Sequence, residues 1–96
     1  MGASVFFQKA MGTSPKAAFS AARAQALYDH GHAGYSGTLA EKHSFVEIKA
    51  PDGLDPSGYA EKLISDGDVR VDDKCGPAGC VRVGPEEFLF FGWASS

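Results

Sequence analysis

Between His30 and Lys42 the chain gathers the kinds of donor that hold an anion. Gly31, Gly34 and Gly37 let backbone N–H groups approach a ligand closely, Ser36 and Thr38 add hydroxyls, and Lys42 adds a point charge. Tyr35 or His32 can stack on a base. These are the parts of a phosphate or nucleotide cradle. No GxxxxGK[ST] pattern is present, and the glycines follow a helix instead of opening one, so neither a Walker A loop nor a dinucleotide fingerprint fits. The same glycines also suit a plain helix-to-strand connection, which needs them for its turns. A second loop, 72–80, has a similar build, with Lys74 ahead of a Gly76-Pro77-Ala78-Gly79 turn. Alone it reads as a tight connection into a strand. Two Gly-rich, Lys-bearing loops can also converge on one ligand or face each other across a subunit boundary.

The remaining reactive residues carry less. His30, His32 and His43, with Asp29 and Glu41 nearby, invite a zinc reading, but no HExxH or paired CxxC frames them. We therefore expect no metal and no cofactor. One histidine acting as general acid or base, oriented by Glu41, would suit phosphodiester or glycosidic chemistry, yet nothing marks a nucleophile. Cys75 and Cys80 are spaced C-x4-C, neither a redox pair nor a zinc knuckle, and are expected as thiols.

The elements that position these loops are punctuated clearly. Aromatic and β-branched residues make a strand of 3–11. Ser14 and Pro15 then supply an N-cap and a first helical residue. An alanine-rich helix follows, with Phe19, Ala22, Arg23, Ala26 and Leu27 on one face beside Ala18, and His30-Gly31 stops it. Residues 44–50 alternate as a strand. Asp55-Pro56 opens a second helix over 56–65, with Tyr59, Ala60, Leu63 and Ile64 on one face and Gly67 as its stop. Val69 and Val71 suggest an edge strand. Cys80–Val83 and Glu87–Ala94 read as two antiparallel strands, the second apolar on both faces and so central. The order β-α-β-α-(β)-β-β predicts an α+β fold. We expect a two-layer sandwich, with two helices over one face of a mostly antiparallel sheet of four to five strands.

Ninety-six residues allow one domain, 1–96, with one modest core. A 44% hydrophobic and 22% charged composition is globular, not disordered. A net charge of -3 argues against a nucleic-acid partner. No apolar run approaches a membrane span, and no signal-peptide layout opens the chain, so a cytoplasmic protein is expected. Seven Phe, three Tyr and one Trp are hard to hide in so small a domain. A homo-oligomer is therefore also expected.

The run Gly34-Tyr35-Ser36-Gly37-Thr38-Leu39-Ala40-Glu41-Lys42, between an alanine-rich helix and a strand, resembles a family of small uncharacterised proteins of bacteriophages and some prokaryotes. The Gly76-Pro77-Ala78-Gly79 turn is similar to a second block of that family, and the likeness covers about residues 3–94. It implies no activity. What it implies is a setting: an accessory factor acting inside an infected bacterium, where such proteins often inhibit host defence by binding a nucleotide signal or a defence protein.

Three functions follow as expectations. The first is a non-catalytic binding protein, which these residues favour over an enzyme, that sequesters a nucleotide-derived phosphorylated signal. His32, Gly34, Tyr35, Ser36, Gly37, Thr38, Lys42 and Lys74 would be its ligand contacts. The second is a protein inhibitor of the anti-CRISPR kind, binding a host defence complex through the acidic residues Asp66, Asp68, Asp72, Asp73, Glu86 and Glu87. The third is a small hydrolase of phosphodiesters or nucleotides using a histidine with Glu41.

Overall fold

The structure, a computed structural model, describes residues 2–30 and 36–96, with the backbone alone for residue 30. Strand β1 runs over Ala3–Met11 and leads into helix α1, Pro15–His30. Ser14 caps α1 as its type predicts, its Oγ accepting the Ala17 N–H at 3.2 Å. Strand β2 covers Phe45–Glu47 and helix α2 covers Pro56–Asp66. Asp55 Oδ2 accepts the Gly58 N–H at 3.2 Å at the start of α2, and Gly67 closes its end in the left-handed region at φ 66°. Strands β3, Ala78–Gly84, and β4, Glu87–Ser95, complete a four-stranded sheet in the order β1-β4-β3-β2.

Strand β4 is central, antiparallel to both β1 and β3, whereas β2 lies parallel to β3. This is the α+β fold the sequence predicts, two helices packed on a mostly antiparallel sheet. The layering differs from the expectation. Side chains alternate along a strand, and Phe88 and Phe90 pack with Phe19, Ala22 and Ala26 of α1. Leu89 and Phe91 pack with Ala60 and Leu63 of α2. The helices therefore cover opposite faces. A strand that is apolar on both sides needs a cover on both, and one helix supplies each.

The expected strand at Val69 and Val71 is a turn. Arg70 N–H donates to Asp68 Oδ1 at 2.9 Å and Val71 N–H to the Asp68 carbonyl at 3.0 Å, which curls the segment. Val69 is left outside, and Val71 becomes a core plug under Gly79. A Cβ on Gly79 would sit 2.6 Å from the Phe91 ring and 2.7 Å from Val71 Cγ1, so this strand position has no room for a side chain. The parallel β2–α2–β3 crossover explains the remaining connection, since parallel neighbours need a long return path.

Candidate anion-binding site

The loop from 36 to 42 is built around its own polar groups. Gly37 adopts φ 71° and its N–H donates to the Ser95 carbonyl at 2.8 Å, which pins the turn to the end of β4. A Cβ there would meet Ser4 Cβ at 3.0 Å and Ser96 Cβ at 3.1 Å. Ser36 donates from both its N–H, at 3.1 Å, and its Oγ, at 2.8 Å, to Glu41 Oε2. Its single hydroxyl proton is thereby used. The 2.8 Å bond between Ser36 Oγ and Thr38 Oγ1 must then take its proton from Thr38. Thr38 in turn accepts the Ala40 N–H at 3.3 Å and caps a 3-10 turn over Leu39–Glu41. Both hydroxyls offered by the sequence as ligand donors are committed inside the loop.

Lys42 is committed more completely. It is 1% exposed, and its Nζ donates to the carbonyls of Asp73 at 3.2 Å, Lys74 at 3.2 Å and Gly76 at 2.9 Å. An ammonium has three donors, and all three have acceptors. Burial lowers its pKa from the usual lysine value, partly offset by the charge of Asp73. Lys42, expected as a phosphate contact, thus has its charge enclosed by backbone oxygens. Lys74 contributes a carbonyl to that enclosure, and its half-buried side chain stays outside it. The two glycine-rich loops do converge, and what they converge on is an ammonium of the chain itself. His32, Gly34 and Tyr35 lie outside the described residues.

The Lys42 carbonyl carries the arrangement onward to α1. It accepts the Arg23 Nε–H at 2.6 Å, which orients a half-buried guanidinium and leaves its two terminal nitrogens unpaired among the described residues. Arg23 lines a depression of about 290 Å³ together with Ser20, His43 and the apolar Phe19, Ala24 and Leu27. The described lining has two cation-capable groups, one hydroxyl and no carboxylate. On the sequence, Arg23 counted only as part of the packing face; the signal was an arginine placed among alanines on a face that otherwise buries.

A larger groove of about 620 Å³ runs beside residues 47–54. Its charges are mixed: Lys49 and Arg82 share it with Glu47 and Asp52. Arg82 lies over the Phe88 ring, 5.1 Å from its centroid, and donates Nη1 to the Pro85 carbonyl at 3.0 Å. Cys80, in the same wall, has its thiol pushed up to about 12 by burial, with Glu47 adding to the effect. Such a thiol stays protonated and is a poor nucleophile at neutral pH. Cys75 is exposed and free.

No family model, curated protein or solved structure matches the chain. The site therefore rests on its own geometry. Of the hydrolase residues, His43 is exposed at the depression, while Glu41 is engaged by Ser36. The His30 side chain and His32 lie outside the described residues. Of the acidic cluster, Asp66 pairs with Lys62 at 2.6 Å and Asp68 with Arg70 at 2.9 Å. The Arg70 hydrogen bonds hold the Asp68 carboxyl down at about 2.

Proposed function

We propose that the chain is a non-catalytic binding protein for a small phosphorylated, nucleotide-like ligand, taken at the depression on α1. The observation that carries this reading is Arg23, whose Nε is fixed by the Lys42 carbonyl while, among the described residues, its terminal nitrogens have no partner and the lining holds no carboxylate. A guanidinium oriented in this way matches two phosphate oxygens at once. Ser20 and His43 supply further donors, and the Phe19, Ala24 and Leu27 side supplies an apolar surface for the organic part. At about 290 Å³ the depression falls just under the roughly 300–1,000 Å³ range of small-molecule sites, so it would take the phosphate end of such a ligand and leave the rest at the surface.

Binding without turnover is supported by the state of three possible nucleophiles. The Ser36 and Thr38 hydroxyl protons are used within the loop, and the Cys80 thiol is held protonated. In the phage setting implied by the sequence resemblance, such a protein would act by sequestering a signal. A thermal-shift screen with inorganic phosphate, pyrophosphate and mononucleotides tests the reading. A ligand at 100 times its Kd adds about 2.7 kcal/mol, on the order of 10 °C for a domain of this size. Arg23→Gln should abolish the shift and Arg82→Gln should keep it. A shift lost only in Arg82→Gln, or none at millimolar ligand, contradicts the proposal.

A further inference from the structure

The two edges of the sheet are unequal. Strand β2 is three residues long and the chain turns away from it at Pro51, so this edge offers little to pair with. Strand β1 is nine residues long, with continuous register against β4 and neither a bulge nor a proline. Its free side can be worked out from the ladder. Gly2 and Ser96 exchange both backbone bonds, and Gly12 donates to Glu86. Even-numbered residues of β1 therefore bond inward to β4. The N–H and C=O groups of Ala3, Val5, Phe7, Lys9 and Met11 point outward.

Those same residues leave apolar surface uncovered. Phe7 stacks on Phe91, with ring centroids 6.3 Å apart and planes 11° from parallel, yet remains 43% exposed. Met11 is 65% exposed. Along this strand the only charge is Lys9, so among the described residues the devices that usually protect an edge are nearly absent.

We infer that the outer edge of β1 pairs antiparallel with the same edge of a second copy of this chain, about a two-fold axis at Phe7. This register sets Phe7 opposite Phe7, Val5 opposite Lys9 and Ala3 opposite Met11, so every outward group meets a partner. It forms about ten backbone bonds, the number a typical specific interface carries. Centring the axis on Lys9 instead would place two ammonium groups directly opposite and leave the Ala3 end unpaired, which disfavours that register. The chosen register also joins the two exposed Phe7 rings into one apolar patch and continues the sheet through both copies.

Sedimentation equilibrium of the full chain and of one proline variant, with cross-linking of two cysteine variants, tests the inference. The wild type should sediment as a dimer. Lys9→Pro removes an outward N–H that β4 does not use, so it should keep the far-ultraviolet circular dichroism and weaken the dimer by roughly 100-fold. In a Cys75→Ser background, Phe7→Cys should cross-link to its own copy under mild oxidation, and Gln8→Cys should not. A monomeric wild type overturns the inference. So does a dimer that survives Lys9→Pro and gives no Phe7→Cys cross-link, since that dimer uses another face.

Discussion

Lys42 and Arg23 are joined by a single hydrogen bond, and they sit in regions of opposite character. Around Lys42, every donor has an acceptor inside the chain: three carbonyls for the ammonium, and Glu41 and one another for the Ser36 and Thr38 groups. Around Arg23, one donor is fixed and the rest have no partner among the described residues. The first region is a clamp between two loops, and the second is where we propose that an anion binds. The presence of donors does not make a site; donors without internal partners do. The clamp also serves the site, because the carbonyl that orients Arg23 belongs to the clamped lysine.

The largest effect should come from breaking the clamp. Lys42→Ala leaves three carbonyls of the 73–76 loop without their donor and should cost about 2–4 kcal/mol of folding stability, measured by urea denaturation. If Lys42 were instead an exposed ligand contact, stability would stay near wild type and only affinity would fall. Next, Arg23→Gln should weaken a phosphorylated ligand by about 1.5–3 kcal/mol in calorimetric titration while costing only about 1 kcal/mol of stability. Equal losses in both measurements would merge the two regions into one structural unit. Affinity at Arg23 should also fall as salt rises, because the contact is between charges.

Gly37→Ala comes third. Its left-handed backbone and the nearby Ser4 and Ser96 atoms should make it cost about 1–2 kcal/mol in the same denaturation experiment. The smallest effect at neutral pH belongs to Cys80. Burial pushes its folded thiol up to about 12, above an ordinary thiol's 9.0, so its stabilising contribution is complete below pH 9.0 and is lost as pH rises toward 12. Cys80→Ala should therefore flatten the alkaline fall in stability and leave the neutral range with no pH slope of its own.

Much of the fold was legible because its punctuation is local. Ser14-Pro15, Asp55-Pro56 and Gly67 mark helix ends by the geometry each residue favours, and both helices begin where those signals place them. The central strand was legible from Phe88 to Phe91, apolar on both faces. The opposite placement of the helices was implicit in the same run, since each face needs a cover, but a periodic pattern does not say which element provides it. Val71 was misread for a related reason. One buried valine on a turn produces the same alternation as a short edge strand.

The site was harder to read than the fold. A lysine after a glycine-rich loop looks the same whether its oxygens come from a phosphate or from backbone carbonyls 31 to 34 residues along the chain. Only tertiary structure separates the two. Arg23 was visible as a residue and invisible as a site, because its helical face announced packing and the carbonyl that turns its guanidinium is 19 residues away.

The chain has three arginines, Arg23, Arg70 and Arg82, so their guanidinium resonances form a small and readable set. Titrating a mononucleotide into isotopically labelled protein and following the arginine side-chain proton–nitrogen spectra tests the central claim directly. The account predicts that the Arg23 resonances move in a saturable way while Arg70, paired to Asp68, and Arg82, seated on Phe88, stay in place. Movement confined to Arg82, or no movement of any arginine at millimolar ligand, would contradict it.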